Sequence, residues 1–181
     1  MNETISTRPA TGLRLAGWGL AAAMLATPFV AMQMTKEVNW TSSDFVVFGA
    51  MLALAGGAIE LLVRAANGAA YKLGATLAVV TGFLLVWANL AVGFIGDPDN
   101  PQNLLYLLVL ASAVAGTIVA RRRPRGMAVA MAAAGAIQLA IPIAVGAMHG
   151  PEAGATILYT LLWAASAWLL ALAARKVSPA G

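Results

Sequence analysis

The stretch LGATLAVVTGFLLVWANLAVGFI, residues 73–95, runs for 23 residues without a charged side chain. A helix of about 20 apolar residues crosses the hydrocarbon core of a bilayer, which is about 30 Å thick. The rest of the chain has the same character, since 61% of its 181 residues are hydrophobic, 10% are charged and the mean hydropathy is +0.82. Soluble globular domains do not have this composition, so we predict an integral membrane protein.

Five further apolar runs lie on either side of this stretch. The predicted spans are residues 15–34, 45–63, 73–95, 104–120, 127–148 and 156–174. Because the connections between them are short, successive spans should be antiparallel neighbours. The sequence therefore predicts an all-α polytopic transmembrane bundle of six spans in three antiparallel hairpins. It forms one membrane domain over residues 1–181 and leaves no room for a separate soluble domain.

The basic residues are distributed unequally between the two sides of this plan. Ten of the eleven Lys and Arg residues fall on one side, and Lys36 alone falls on the other. Cytoplasmic loops carry such an excess of Lys and Arg, so we predict that this side and both termini face the cytoplasm. The ten residues are Arg8, Arg14, Arg64, Lys72, Arg121, Arg122, Arg123, Arg125, Arg175 and Lys176.

The first span has two interpretations. Arg8 and Arg14 followed by an apolar run are typical of a cleaved secretory signal as well as of a retained helix. No convincing small-residue cleavage motif follows Ala26, and the apolar run continues to Met34. A retained helix is the prediction, with a kink at Pro28 of a kind that membrane helices tolerate.

Small residues at helical spacing predict where the helices approach each other. Gly49, Ala53 and Gly57 recur every four residues on the second span, and such ridges let membrane helices pack closely. Gly82 on the third span and Gly135 on the fifth have the same role in this interpretation. We expect all of these faces to point into the bundle.

Glu60 is an ionisable residue within a predicted span. Arg64 follows one turn later, at the i+4 position that favours an ion pair on a helix. One interpretation is an interfacial ion pair that stabilises helix packing. The other is a proton or cation site, because ionisable groups inside membranes mark functional sites.

Two amide side chains, those of Gln138 and Asn89, also lie within predicted spans. Gln138 is at the midpoint of its span, where an unpaired amide is costly, so we expect it to hydrogen-bond another span. The alternative is that Gln138, Asn89 and Glu60 line a path for a polar substrate. The partners considered for Gln138 are Asn89, Thr81, Ser112, Thr117, Thr160 and Ser166.

The segment GDPDNPQN, residues 96–103, is the most polar connection in the chain. Asp97, Asp99, Asn100 and Asn103 present oxygen atoms there, but the calcium-loop pattern with its distal Glu is absent. The leading interpretation is a turn in which Asn100 or Asn103 caps a helix that starts at Leu104. A metal site and an edge that docks a partner are the alternatives.

The densest basic cluster is formed by Arg121, Arg122, Arg123 and Arg125. It either orients the chain as a stop-transfer loop or contacts anionic lipid in the cytoplasmic leaflet. A formal charge of +4 and a pI near 10 raise the question of nucleic acid. We predict no nucleic-acid partner, because the basic residues lie at helix ends rather than on a solvated patch.

The sequence contains no pattern typical of an enzyme. It has no cysteine and one histidine, His149, which excludes disulfides and thiolate metal sites. The motifs HExxH, GxSxG and the P-loop are absent. We predict that the protein is not an enzyme and binds no cofactor and no metal.

Several short runs resemble a group of small uncharacterised bacterial inner-membrane proteins. They are EVNWTSSDF (37–45), LLVWANLAVGFIG (84–96), DNP (99–101), NLLY (103–106) and RPRG (123–126), and the resemblance covers about residues 34–126. It implies the bacterial cytoplasmic membrane and a multi-span helical architecture. It implies no activity, substrate or cofactor.

Two classes of function follow from these patterns. The first is a non-catalytic membrane component: a scaffold, an accessory subunit or a homo-oligomer whose small-residue ridges and 96–103 loop meet partners. The second is a small transporter or channel for an ion or a small polar or amphipathic molecule. In the second class Gln138, Asn89, Thr81, Ser112 and Ser166 should surround one hydrated cavity, whereas isolated one-to-one hydrogen bonds would favour the first.

Overall fold

A computed structural model describes residues 9–64, 66 and 68–177, and within them the chain is helical with no strand. Six helices are long and apolar enough to cross a membrane, which confirms the all-α, multi-pass class. The α-helices are α1 (Pro9–Met34), α2 (Ser42–Arg64), α3 (Ala69–Ala91), α4 (Leu107–Val119), α5 (Pro124–Ala144) and α6 (Gly150–Val177). A 3-10 helix, Pro101–Tyr106, leads directly into α4.

The helix ends differ from the predicted span ends where apolar residues form turns. The third span was predicted to end at residue 95, but α3 ends at Ala91 and Gly93 follows with a φ of 73°. The fifth was predicted to end at residue 148, whereas α5 ends at Ala144 before Gly146, whose φ is 71°. Hydropathy does not detect these ends because the turn residues are themselves apolar.

The sixth helix begins earlier than its apolar run. It starts at Gly150 and carries Glu152 in its first turn, while the predicted span started at residue 156. An acidic residue in the first turn is favourable because it offsets the positive end of the helix dipole. A helix start predicted from hydropathy alone therefore lies too late in the chain, because the polar first turn is left out.

The chain divides into two compact units, an N-terminal unit that ends at residue 58, within α2, and a C-terminal unit that begins at residue 59. In the N-terminal unit, α1 packs against α2 through Trp18 and Leu25. A Cβ added at Gly56 would lie 3.0 Å from the Trp18 ring, and one at Gly49 would lie 3.7 Å from Leu25. These contacts pair late residues of α2 with early residues of α1, so the two helices run antiparallel.

The small-residue ridge of α2 does not point inward along its whole length. Gly49 contacts Leu25, but Ala53 is exposed and a Cβ added at Gly57 would meet no atom within 4 Å. The expectation was wrong for Ala53 and Gly57. The contact with α1 runs instead along the neighbouring row of the helix, which carries Leu52 and Gly56.

The C-terminal unit holds most of the buried residues. Its helices pack in the order α4, α5, α6 and α3, around the large buried side chains of Trp163, Tyr106, Leu85 and Met131. Leu62, in the last turn of α2, packs against the same core.

Close approaches of backbone in the C-terminal unit depend on glycine. A Cβ at Gly116 would lie 2.4 Å from the Ala130 side chain, and one at Gly74 would lie 2.9 Å from Leu170. Gly135 abuts Trp163 in the same way, at 3.2 Å. The predicted packing roles of Gly82 and Gly135 are confirmed, since Gly82 approaches Leu110 at 3.3 Å.

The basic residues of the C-terminal unit gather at one end of it. The Tyr71 hydroxyl donates to the carbonyl oxygen of Arg122 at 3.1 Å, and Gly74 lies against Leu170. The start of α3, the α4–α5 turn and the end of α6 are therefore neighbours. Lys72, Arg175 and Lys176 share this end with the arginine cluster, while the 96–103 loop and Glu152 lie at the opposite end.

We expect Gly116→Ala to lower the unfolding temperature of the detergent-solubilised protein. The added methyl group would overlap Ala130, and overpacking of this kind costs about 1–3 kcal/mol. The second substitution Ala130→Gly should restore part of the loss by removing the atom in conflict. Gly154→Ala is the control, because a Cβ there meets nothing within 4 Å. An equal loss in both single variants would contradict the packing assigned to Gly116.

Candidate functional site

Glu60 and Arg64 form the predicted ion pair in the last turns of α2. An Arg64 Nη atom donates to the Glu60 carboxylate. The Arg64 side chain is 59% exposed and that of Glu60 is 20% exposed, so neither charge is fully buried within the protein. An exposed i,i+4 pair contributes about 0.3–0.5 kcal/mol, a small term that fits the structural interpretation.

Asn103 organises the turn that follows α3. Its Oδ1 atom accepts hydrogen bonds from the backbone N–H groups of Phe94 and Ile95, both at 2.9 Å. Its Nδ2 group donates to the carbonyl oxygen of Asp97 at 2.8 Å. The carbonyl of Asn103 accepts in turn from the Asn89 side chain at 3.1 Å. One buried amide thus satisfies backbone groups on both sides of the turn.

The glycine at position 93 is required by this arrangement. It has a φ of 73°, a left-handed conformation that favours glycine. A Cβ atom there would lie 2.8 Å from Asn103 Nδ2 and 3.0 Å from the Asp97 carbonyl. The Asn103 amide can therefore occupy this position only because residue 93 has no side chain.

The cap predicted for the following helix is made by Asn100. Its side chain accepts from the Gln102 backbone N–H at 3.0 Å and begins the 3-10 helix at Pro101, three residues before the predicted start at Leu104. Asn103 lies inside that helix and makes the turn contacts instead.

Both Asp97 and Asp99 have exposed side chains, and the described residues contain no group of three or more potential metal ligands.

Gln138 is fully buried on α5, yet both atoms of its side-chain amide lack a hydrogen-bond partner among the described residues. The interhelical partner expected for it is therefore not present. Asn89 Oδ1, Thr160 Oγ1 and Trp163 Nε1 are also buried without a partner in the C-terminal unit. The buried hydroxyls of Tyr106 and Thr156 have no partner beyond each other.

The unpaired atoms belong to one region of the C-terminal unit. Asn89 lies near the end of α3, Tyr106 near the start of α4 and Thr156 near the start of α6, which places all three toward the end opposite the arginines. Gln138 lies one turn beyond Gly135, which abuts Trp163 and the Thr160 carbonyl. We call these six residues the buried polar cluster: Asn89, Tyr106, Gln138, Thr156, Thr160 and Trp163.

The other polar residues considered for a transport path are paired separately. Thr81 and Ser112 donate to carbonyl oxygens of their own helices, at 2.7 and 2.8 Å. Ser166 donates across to the Gly74 carbonyl at 2.9 Å. These three side chains do not join Gln138 around a common space.

The arginine cluster forms the tight turn between α4 and α5. Arg121 and Arg122 have φ values of 48° and 62°, which are uncommon for residues with a side chain. Arg121, Arg123 and Arg125 line an open groove of about 570 Å³. Arg122 does not line it, although its carbonyl oxygen accepts the hydrogen bond from Tyr71.

Comparisons with protein-family models, with curated proteins and with solved structures found no match to this chain.

Several residues that hold the C-terminal unit together were missed by sequence reasoning. The roles of Tyr71 and Tyr159 depend on partners 51 and 75 residues away in the chain, which no local pattern indicates. Gly74 had a local signal, because Gly74, Ala78 and Gly82 recur every four residues and all three are buried. Gln138 was identified as an interior amide, with Asn89 and Thr160 among its candidate partners, but Tyr106, Thr156 and the Trp163 indole were not associated with it.

We expect Asn103→Ala to lower the free energy of unfolding by about 2–4 kcal/mol, because it leaves the buried N–H groups of Phe94 and Ile95 without an acceptor. Thermal unfolding of the detergent-solubilised protein, followed by tryptophan fluorescence, measures the change. Asn100→Ala serves as the control and should cost about 1 kcal/mol, the usual value of a lost cap. Equal losses would show that Asn103 has no special role in the turn.

Proposed function

We propose that this protein is a non-catalytic, multi-pass component of the bacterial cytoplasmic membrane that acts by association, as a scaffold, an accessory subunit or a homo-oligomer. In this proposal the helices form three antiparallel hairpins, and the basic end of the C-terminal unit and both termini face the cytoplasm. The unequal distribution of Lys and Arg supports this orientation.

The observation that carries the proposal is the way polar side chains are used between helices. Tyr71, Tyr159 and Ser166 each donate to a backbone carbonyl on another element, at 2.9–3.1 Å. Hydrogen bonds of this kind hold membrane helices together. Because each of these hydroxyls joins two elements of the C-terminal unit, the three side chains support a structural role.

The N-terminal unit supplies the surface through which association would occur. Few side chains along α1 and α2 are buried. On α2, Ala53 and Gly57 form a small, open ridge, and small residues let a second membrane helix approach closely. We take the occupant to be a second copy of this chain.

We expect the wild-type protein to be oligomeric in mild detergent and Ala53→Leu to shift it toward monomer, because the larger side chain fills the space that a partner helix would occupy. Native mass spectrometry across a concentration series measures the change, which should be about tenfold or more in the dissociation constant, equivalent to about 1.4 kcal/mol. Ala111→Leu, at an exposed alanine of α4, should have no effect. A monomeric wild type would exclude the homo-oligomer and leave other membrane proteins as partners.

A second candidate function, transport, is favoured by the buried polar cluster. Amide, hydroxyl and indole groups from α3, the 3-10 helix, α5 and α6 are buried inside the C-terminal unit. Buried polar groups ordinarily have partners, in protein or in bound water. The cluster contains no ionisable carboxylate or basic group, so the substrate class that it would suit is water or a small uncharged polar molecule.

One substitution, Gln138→Met, distinguishes the two functions. If the protein acts by association, the variant should unfold at a higher temperature, because it removes a buried amide whose desolvation costs about 1–3 kcal/mol. In this case wild-type proteoliposomes should be no more permeable to water or glycerol than empty vesicles in stopped-flow light scattering. Permeability above that of empty vesicles, reduced by Gln138→Met but unchanged by Ala111→Leu, would establish transport instead.

A further inference from the structure

The α4–α5 turn contains a groove that neither proposed function uses. Its volume is about 570 Å³, within the range of about 300–1,000 Å³ that is usual for small-molecule sites. It is open to the surface and lies at the basic end of the C-terminal unit. The residues that line it are Val119, Ala120, Arg121, Arg123, Arg125, Gly126 and Val129.

The three guanidinium groups of the groove have no acceptor within the described part of the chain, where Arg121, Arg123 and Arg125 make no side-chain hydrogen bond or ion pair. The acidic side chains of the connecting segments, Asp97 and Asp99, lie at the opposite end of the unit. Three cationic groups that share a groove repel one another. An anion from outside the chain would relieve this repulsion.

Phosphate is the anion that suits these donors. A guanidinium presents a planar fork of N–H groups that matches two phosphate oxygens at once, and hydrogen bonds between two charged groups are about twice as strong as neutral ones. The N-terminus of α5 also lies here and adds a partial positive charge, which would not by itself make a site.

The walls of the groove indicate that the phosphate belongs to a lipid. Val119 on α4 is 81% exposed and Val129 on α5 is 66% exposed, so an apolar surface from two helices continues directly from the arginines. A free phosphate would gain nothing from these side chains, whereas a phospholipid would place its acyl chains against them. We propose that this groove binds the headgroup of an anionic phospholipid, with Arg121, Arg123 and Arg125 holding the phosphate.

Arg122 provides a matched control within the same cluster. It carries the same charge and adjoins Arg121 and Arg123, but it does not line the groove. In a diffuse attraction between a basic loop and an anionic surface, all four arginines would contribute equally to the affinity. In a site formed by the groove, only the three that line it would bind the headgroup.

The test is native mass spectrometry of the full chain in neutral detergent, titrated with dioleoyl phosphatidylglycerol. Each basic residue near an anionic lipid contributes about a fivefold gain in affinity, so the triple variant R121Q/R123Q/R125Q should bind about 100-fold more weakly. Each of the single variants R121Q, R123Q and R125Q should bind about fivefold more weakly, whereas R122Q should bind as the wild type does. Dioleoyl phosphatidylcholine should bind no better to the wild type than to the triple variant.

A second variant retains the charge in case the triple substitution impairs membrane insertion. R121K/R123K/R125K keeps three positive charges, and with them the signal for orientation, but removes the planar forks; it should bind phosphatidylglycerol about tenfold more weakly than the wild type. A loss in R122Q as large as that in R121Q, R123Q or R125Q would overturn the proposal, as would equal binding of phosphatidylcholine. Displacement of the lipid by millimolar inorganic phosphate would overturn the lipid assignment and identify a free phosphate as the ligand.

Discussion

In a hydrocarbon environment no solvent can replace a missing hydrogen bond, so every backbone polar group has to be satisfied inside the protein. Inside each helix the backbone N–H and C=O groups bond to one another. The groups left without a partner are those at the helix ends. At the end of α3 the chain solves it with one side chain, since Asn103 supplies an acceptor to two backbone N–H groups and a donor to a carbonyl. Gly93, with its positive φ, leaves the space that this side chain occupies, and the backbone carbonyl of the same residue accepts from the Asn89 side chain.

The same constraint explains how the C-terminal unit is held together. Without a strong hydrophobic force between helices in lipid, association depends on close packing and on interhelical hydrogen bonds. Gly74 combines both, because its missing side chain admits Leu170 while its carbonyl accepts the Ser166 hydroxyl. Two weak contributions at one crossing reinforce each other, since the close approach allowed by glycine brings the hydroxyl within reach of the carbonyl.

The parts of this structure that could be predicted are those set by local sequence. Six spans follow from hydropathy, and the Glu60–Arg64 pair follows from the i,i+4 geometry of a helix. The face of α2 could not be predicted, because Gly49, Ala53 and Gly57 form one regular row while Leu52 and Gly56 lie on a second row beside it. Which row is covered depends on where Trp18 of α1 lies, and that is information from another part of the chain.

Gln138, within the buried polar cluster, and the arginine turn are two places in the described part of the chain where polar groups lack partners. Gln138 leaves both amide atoms unpaired in a closely packed interior, and three arginines leave their charges unpaired in an open groove. The physical consequences differ, because the interior site can be relieved only by water or a small molecule that enters the bundle. The groove is open at the surface of the protein, with the exposed side chains of Val119 and Val129 beside the arginines. Of the two, only the groove can acquire its missing partner without any rearrangement of the helices.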